Sequence, residues 1–151
     1  MLNSFVKKFI DFNLNFIKLD NKYYLKNDEL SKKKLDIKEN IFGLYLGEEK
    51  KGEFYPSFGL LDILSKYSNE KLFVNNLGEI DFLYGKDLRK RHVDRIYGEN
   101  ISGIFKLVQN KYNENLGYGI LVKETKKSTK ILKHISDRGI FLKRDKNIIK
   151  Y

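Results

Sequence analysis

The stretch that decides the fold of the C-terminal half is Leu116-Gly117-Tyr118-Gly119-Ile120-Leu121-Val122-Lys123. A short apolar run of this kind, interrupted by glycine, predicts a β-strand over 117–123. Similar runs occur at 71–75, 92–96, 103–109, 130–135 and 140–143. Short strands spaced by roughly 8–12 residues predict a small β-barrel or sandwich.

The C-terminal half also contains one predicted short helix, and the N-terminal half is predicted to be organised differently. Residues 80–84 predict a helical turn that ends at Gly85. The N-terminal half instead mixes helices and hairpins. It predicts a helix from Leu2 to near Phe12 behind Asn3-Ser4, a hairpin of 16–19 with 22–25, and a helix over 28–35. Strands at 42–46 and 53–55 flank a polar loop at 47–52.

A polar break at Ser68-Asn69-Glu70 separates the two halves. Before it, Ser57 is placed to cap a helix that carries Leu60, Leu61, Leu64 and Tyr67 on one face. We therefore predict an α+β chain with an N-terminal α+β domain over 1–70 and a β pseudo-barrel over 71–151.

Composition narrows the class of protein. The 151 residues include no cysteine, which excludes disulfides, thiolate metal sites and a cysteine nucleophile. The N-terminus becomes charged too early for a signal peptide, and no apolar run approaches the roughly 18–20 residues of a membrane span. We expect a cytoplasmic protein that does not bind membranes and needs no cofactor.

Charge is distributed very unevenly along the chain. Residues 1–70 contain 12 lysines and arginines against 11 acidic residues, whereas the remainder contains 18 against 9 and holds all five arginines. A regional excess of +9 is typical of a surface that meets polyanions, and arginine makes planar, forked contacts to phosphate.

Two basic clusters stand out within this half. The first follows Gly85 and contains Lys86, Arg89, Lys90, Arg91 and Arg95; the second contains Lys143, Arg144, Lys146 and Lys150. The first cluster is either an RNA-facing turn or a solvated face with Asp87 and Asp94 as local partners. The second cluster is either an RNA contact or a basic tail. A third, lysine-rich group at 123–133 is interpreted as a solvated hairpin tip.

Neither aromatic residues nor catalytic motifs decide the function. Tyr84, Tyr97, Tyr112 and Tyr118 lie among the cations and would either stack on unpaired bases or belong to the core. His92 and His134 are the only histidines, and each is predicted to lie in a strand and to be structural. No acid/base pair, metal-ligand spacing or phosphate-binding loop is evident, so we expect a protein that is not an enzyme.

Four sequence features resemble a known family when they are taken together and in order. They are Asp81-Phe82-Leu83-Tyr84-Gly85, the strands at 102–108 and 116–123, and Asp137-Arg138-Gly139 before a basic final strand. This order is similar to that of the Nip-seven ribosome biogenesis family, whose C-terminal domain has the PUA fold. The lysine-rich composition and the basic end resemble archaeal members most.

The resemblance implies RNA binding, with contacts from the first helix of the PUA domain, the loop after it and the last strand. The corresponding residues are Lys86, Arg89, Lys90, Arg91, Arg138, Lys143, Arg144 and Lys146. It also implies a non-catalytic role in ribosomal RNA maturation and large-subunit assembly, with protein partners. Two other hypotheses are an adaptor whose N-terminal domain docks partners through Tyr23, Tyr24, Phe54 and Tyr55, and, less favoured, an RNA-modifying enzyme.

Overall fold

A computed structural model describes residues 1–26 and 43–139 of the chain. The chain divides into two compact units, Met1–Tyr67 and Ser68–Tyr151. The predicted helix over 28–35 and the predicted strand over 140–143 lie outside the described residues, as does the start of the predicted strand over 42–46.

In its described residues, the first unit is an antiparallel sheet with two helices. Its elements in chain order are α1 (Leu2–Val6), β1 (Phe16–Leu19), β2 (Lys22–Leu25), β3 (Tyr45–Lys50), β4 (Glu53–Pro56) and α2 (Phe58–Tyr67). The four strands form one sheet in the order β1-β2-β3-β4, so each strand pairs with its neighbour in sequence. The predicted β1–β2 hairpin is confirmed, with Asp20 in the turn at φ 52°.

Of the two described helices of this unit, α1 differs from the prediction and α2 agrees with it. α1 is shorter than expected and begins before Asn3 and Ser4, so neither residue caps it. Burial of Leu2, Phe5 and Val6 stabilises it instead. The cap of α2 is confirmed, because the Ser57 Oγ accepts a hydrogen bond from the Leu60 backbone N–H at 3.1 Å.

The hairpin of β3 with β4 is tighter than its sequence indicates. Residues 47–50 were expected in a polar loop, but they belong to β3 and pair with β4. The turn is only Lys51-Gly52, with φ of 50° and 79°, and two positive φ values are the signature of a type I′ turn. The six-residue loop was therefore a wrong prediction, because charged side chains do not by themselves prevent strand pairing. Tyr67 was also misplaced, since it is 63% exposed.

The second unit contains one sheet of six strands and one longer helix. Its elements are β5 (Lys71–Val74), α3 (Asn76–Leu83), β6 (Leu88–Arg89), a 3₁₀ helix (Lys90–His92), β7 (Val93–Ile96), β8 (Phe105–Gln109), β9 (Asn115–Leu121) and β10 (Lys130–Asp137). Each strand predicted within the described part of this unit is present, with shifted ends. His92 was expected in a strand but lies in the 3₁₀ helix.

The sheet curls because its two edge strands are consecutive in sequence. The strand order is β6-β10-β9-β8-β5-β7, so β6 and β7 lie at opposite edges. Only the three residues of the 3₁₀ helix separate Arg89 from Val93. Four Cα–Cα steps of about 3.8 Å span at most about 15 Å, which is too short to cross a flat sheet of six strands at about 4.8 Å spacing. The sheet therefore curves into an open pseudo-barrel.

Apolar side chains on the concave side of this sheet form the core of the unit. Leu72, Val74, Phe82, Leu88 and Val108 are buried together there, and Leu116, Leu121 and Leu132 complete the cluster. Phe82 brings α3 into the core. The combination of helices with one mixed, curled sheet confirms the predicted α+β class.

Candidate nucleic-acid interface

The basic turn, defined here as Lys86, Arg89, Lys90 and Arg91, lies between the end of α3 and the start of β7. All four residues are exposed. α3 ends at Leu83, and Gly85 and Lys86 donate backbone hydrogen bonds of 2.9 and 3.0 Å to the carbonyls of Phe82 and Asp81. The fold thus places the first predicted cluster at the gap between the two edges of the curled sheet.

Asn75 fastens the basic turn to the start of α3. Its Oδ1 accepts a hydrogen bond from the Gly78 N–H at 2.9 Å and so caps the helix. Its Nδ2 donates to the Arg91 carbonyl at 2.7 Å, and its backbone N–H donates to the His92 carbonyl at 3.0 Å. One asparagine therefore fixes both the helix start and the backbone that carries the arginines.

His92 supports the turn from inside. Its side chain is 2% exposed, and its Nδ1 accepts a hydrogen bond from the Arg89 backbone N–H at 3.1 Å. Because a backbone N–H can only donate, Nδ1 carries no proton and the ring proton sits on Nε2. Nε2 lies 3.3 Å from Asp81 Oδ2, which is the acceptor for that proton.

The charge state of this histidine follows from its surroundings. Burial lowers the pKa of His92, and the cations Arg91, Arg89 and Lys86 lower it further, while Asp81 opposes them. The Arg91 Nε is 3.2 Å from His92 Nε2, but a protonated Nε2 cannot accept from it, so this approach places a cation beside the ring without forming a hydrogen bond. A neutral ring therefore preserves the acceptor that holds Arg89.

The four cations of the turn differ in how far they are neutralised. The Lys86 ammonium is 2.8 Å from Asp81 Oδ1, and this hydrogen bond is the main reason that the pKa of Asp81 is lowered. Among the residues that the structure describes, no carboxylate lies within 4 Å of the Arg89, Lys90 or Arg91 cations. These three residues are exposed and lack a carboxylate partner within the described part of the chain, so they are the ones best placed to meet an anion.

Arg138 and Gly139 bring the chain back to the end of α3. Arg138 is partly buried, and its backbone N–H donates to the Leu116 carbonyl at 3.0 Å. A Cβ at Gly139 would come within 1.8 Å of the Leu83 carbonyl oxygen, so only glycine permits this approach. The last described residue thus lies against the helix that precedes the basic turn. The remaining predicted residues, Lys143, Arg144 and Lys146, lie outside the described residues.

The lysine-rich group at 123–133 forms the hairpin tip that the sequence predicts. Residues 123–129 are exposed, and Thr125 and Ser128 bridge the end of the β9–β10 hairpin. Lys130 lies at its base, where its Nζ is 2.5 Å from Asp87 Oδ2.

The aromatic residues among the cations divide between core and surface. Tyr118 is buried, whereas Tyr84, Tyr97 and Tyr112 are 40%, 45% and 71% exposed. The sequence did not indicate that Arg95 lies over an aromatic pair, with its guanidinium 5.6 Å from the Phe73 ring centroid and 6.0 Å from that of Tyr97. This cluster depends on the pairing of Phe73 with Arg95 across β5 and β7, which no local pattern reveals.

The described residues contain neither a metal-binding cluster nor a membrane-spanning helix. Within 1–26 and 43–139, no three histidine or acidic side chains are grouped so that they could hold a metal ion. In the same residues, no helix is long and apolar enough to cross a membrane.

A curled mixed sheet with a capped helix and a cationic turn at its open edge defines a PUA-type pseudo-barrel protein. Residues 70–146, about half of the chain, match the family described as the UPF0113 PUA domain. The chain belongs to that family.

Curated relatives agree with this assignment. The chain is 26% identical over 109 residues to the 60S ribosome subunit biogenesis protein nip7 of Schizosaccharomyces pombe, with 70% of this chain and 61% of that protein covered. It is 27% identical to the NIP7 homolog of Dictyostelium discoideum, with 85% and 77% covered. The chain thus spans about three fifths of the fission yeast relative's length. The resemblance to the Nip-seven family is confirmed.

Solved structures share the fold. A conserved PUA domain protein from Thermoplasma acidophilum superposes with a TM-score of 0.58 at 15% identity, covering 95% of this chain and 91% of that chain. A PUA domain from Aeropyrum pernix gives a TM-score of 0.57 at 14% identity, covering 93% and 82%. Together with the family match, these likenesses confirm the predicted PUA-type pseudo-barrel.

Proposed function

We propose that this chain is a non-catalytic RNA-binding protein that acts in ribosomal RNA maturation and assembly of the large ribosomal subunit. In this proposal residues 71–151 are the RNA-binding domain, residues 1–70 are a separate α+β domain, and the protein works in the cytoplasm with other assembly proteins. The names of its NIP7 relatives, which are 60S ribosome subunit biogenesis proteins, support the process. The PUA family supports the ligand.

The observation that carries the proposal is the pinned basic turn. Arg89, Lys90 and Arg91 are consecutive and exposed, and their backbone is held by Asn75, His92 and the Thr129 carbonyl. Cations that contact phosphates release counterions from the RNA, and this release drives binding. Because the turn is already ordered, less entropy is lost when an RNA backbone meets it.

Salt-dependent RNA binding tests the role of these three cations. We expect Arg89→Gln, Lys90→Gln and Arg91→Gln, combined in the full chain, to weaken binding of a labelled single-stranded ribosomal RNA fragment by up to about 100-fold at about 0.1 M salt. The slope of log affinity against log salt should fall by about 2, because each lost phosphate contact removes about 0.7. Fluorescence anisotropy over a salt series measures both.

A matched variant separates local contact from net charge. Lys7, Lys51 and Lys66 are exposed lysines of the first unit, so changing all three to glutamine removes the same charge elsewhere. We expect this control to retain affinity within about threefold, as only long-range attraction is reduced. Equal losses in the two triple variants would show that the basic turn is not the contact site.

The C-terminal cations are a further part of the proposal. If Lys143, Arg144 and Lys146 contact RNA, Lys143→Glu combined with Arg144→Glu should weaken binding severalfold. Gly139 supports this proposal, because this last described residue lies against the Leu83 carbonyl at the end of α3. An unchanged affinity in this double variant would confine the interface to the basic turn.

A second candidate function is a protein-docking role for the first unit. Tyr23 is 3% exposed and packs edge-on against the Phe54 ring, so it belongs to the core rather than to a docking surface. Tyr55 and Tyr67 are 47% and 63% exposed, and exposed tyrosines are enriched at interface centres. If this function holds, a Tyr55→Ser, Tyr67→Ser variant should lose captured assembly proteins while its RNA affinity stays unchanged.

A further inference from the structure

A groove of about 890 Å³ lies along β7 in the second unit and opens to solvent. Its walls come from the 3₁₀ helix, β7, the 100–102 segment and the ends of the β9–β10 hairpin. Within the described residues β7 pairs only with β5, so the groove follows the strand edge that faces the gap in the pseudo-barrel. Its volume falls in the range of about 300–1,000 Å³ that is usual for ligand sites.

The groove combines cations with apolar side chains. Its lining includes three cations, two carboxylates and a set of apolar side chains, so the charged residues leave a net charge of +1 (3 − 2): Lys90, Arg95 and Lys123; Asp94 and Glu124; Ile96, Ile101 and Val122. Ile101 is 62% exposed and lines the same groove as the partly buried Ile96 and Val122, so the three form an apolar surface rather than an isolated exposed side chain. Asn100 and Ser102 flank Ile101 and supply donors and acceptors beside this apolar surface.

The groove is continuous with the basic turn because Lys90 belongs to both. We propose that the groove is a base-binding subsite: a single-stranded RNA that crosses the basic turn continues along β7 and places one or two unpaired bases against Ile101 and Val122. This proposal rests on the RNA-binding function proposed above. Phosphates between those bases would meet Lys90 and Lys123, and Asn100 and Ser102 would face base edges.

Charge and shape favour single-stranded RNA over a duplex or a peptide. A duplex keeps its bases stacked inside, so it cannot use an apolar floor, whereas unpaired bases can be splayed out and buried. A peptide strand added to β7 would need no cations on the rim. Arg95, exposed beside Phe73 and Tyr97, adds a cation and an aromatic face at the margin of the groove, the pairing that single-strand sites use.

Binding of two oligomers to the full chain tests the subsite. One is a short labelled oligouridine, and the other is an abasic RNA of equal length, which has phosphates but no bases. We expect the wild type to bind oligouridine more tightly, and Ile101→Ser to weaken oligouridine binding about fivefold to tenfold. Tyr112→Ser is the matched control, because Tyr112 is 71% exposed and does not line the groove. It should change oligouridine affinity by less than about twofold.

Each outcome decides between the subsite and the underlying function. Arg91→Gln should weaken both oligomers, and a wild type that binds neither would overturn RNA binding and the subsite together. If the wild type binds both oligomers equally and Ile101→Ser behaves like Tyr112→Ser, RNA binding stands but the subsite is wrong. A labelled acidic peptide that binds the wild type and is lost in Ile101→Ser, while oligouridine binding is unchanged, would assign the groove to a protein ligand instead.

Photocrosslinking keeps the proposal open to refutation if Ile101→Ser does not fold. Wild-type protein would be irradiated with an oligomer that contains 4-thiouridine, and the adducts would be mapped by mass spectrometry. Adducts within 93–102 or 121–124 support the subsite. Adducts confined to other segments contradict it.

Discussion

The basic turn and the lysine-rich hairpin tip are both cationic and both exposed, yet they are built very differently. In the turn, the backbone at Arg89, Lys90 and Arg91 is held by hydrogen bonds to His92, the Thr129 carbonyl and Asn75. In residues 123–128 of the tip, the described contacts are the Thr125–Ser128 bridge and a bond from the Lys130 N–H to the Ser128 Oγ at 3.3 Å. The turn is thus held by the N-cap of α3 and by the Thr129 carbonyl at the base of the hairpin, while residues 123–128 bond only within the hairpin.

This difference indicates that a candidate binding surface is distinguished from a solvated one by the preorganisation of its backbone, and not by its charge alone. Fixing one residue of a flexible backbone costs about 1–2 kcal/mol. A lysine-rich tip loses that much per ordered residue when it grips an RNA, and the gain from each exposed ion pair is only about 0–1 kcal/mol. The turn has already been ordered by folding, so its cations contribute more to binding.

The largest effect that this comparison predicts comes from removing the Asn75 hydrogen bonds that hold the turn while keeping all of its cations. Asn75→Ala deletes the helix cap and the bond to the Arg91 carbonyl, which should cost about 1–2 kcal/mol of unfolding free energy. We expect RNA affinity to fall about tenfold, because the turn must then be ordered on binding. The salt slope should stay constant, since no cation is lost. Anisotropy and urea unfolding measure these quantities.

The tip supplies the control for this prediction. Ser128→Ala removes a comparable side-chain hydrogen bond from the hairpin tip. It should leave RNA affinity within about twofold. If Ser128→Ala weakened binding as much as Asn75→Ala, or if neither variant weakened it, preorganisation would not distinguish the two regions.

Rules that depend only on neighbouring residues correctly predicted one helix cap and one hairpin turn. Ser57 caps α2 because a serine oxygen can reach the N–H three residues on, and Asp20 adopts the positive φ that its hairpin needs. The same reasoning placed the cations after Gly85 in one exposed turn. The position of the candidate site could therefore be predicted from the sequence, but the hydrogen bonds of Asn75 and His92 that hold its backbone could not.

Features that depend on distant partners were missed. Asn75 looked like the last residue of a strand, whereas it is the cap of a helix that starts earlier than predicted. His92 looked like a strand residue, because its partner Asp81 is eleven positions away on a different element. The groove along β7 needs the strand order of the curled sheet, which periodicity within a strand cannot specify.

A smaller effect concerns pH and the protonation of His92. The pKa of His92 is lowered from 6.5 in the folded protein, chiefly by burial, so the unfolded chain takes up the proton more readily. Its contribution to stability is therefore complete above about pH 6.5 and is lost as pH falls through the lowered folded-state pKa. Wild-type unfolding free energy should therefore be nearly constant from about pH 7.5 to about pH 6.5 and should fall as the pH is lowered further.

His92→Asn isolates this contribution. An asparagine Oδ1 can accept from the Arg89 N–H in place of Nδ1 and does not titrate in this range. Urea unfolding should give a flatter pH profile for the variant. Parallel profiles would mean that His92 is not the group that senses pH.

The smallest expected effect concerns Lys130 at the base of the tip. Its ion pair with Asp87 joins side chains that are 42% and 33% exposed, so Lys130→Met should cost only about 0.2–1 kcal/mol of unfolding free energy. Asp87 keeps its hydrogen bond from the His134 N–H at 2.8 Å, which limits the damage. Lys133→Met is the matched variant, because Lys133 is exposed on the same strand and removes the same charge. We expect both variants to bind RNA within about twofold of the wild type and of each other, since each removes one cation outside the basic turn and so changes only the net charge. A loss of more than about fivefold in Lys130→Met alone would break the comparison, because it would make the base of the hairpin part of the same binding surface as the basic turn.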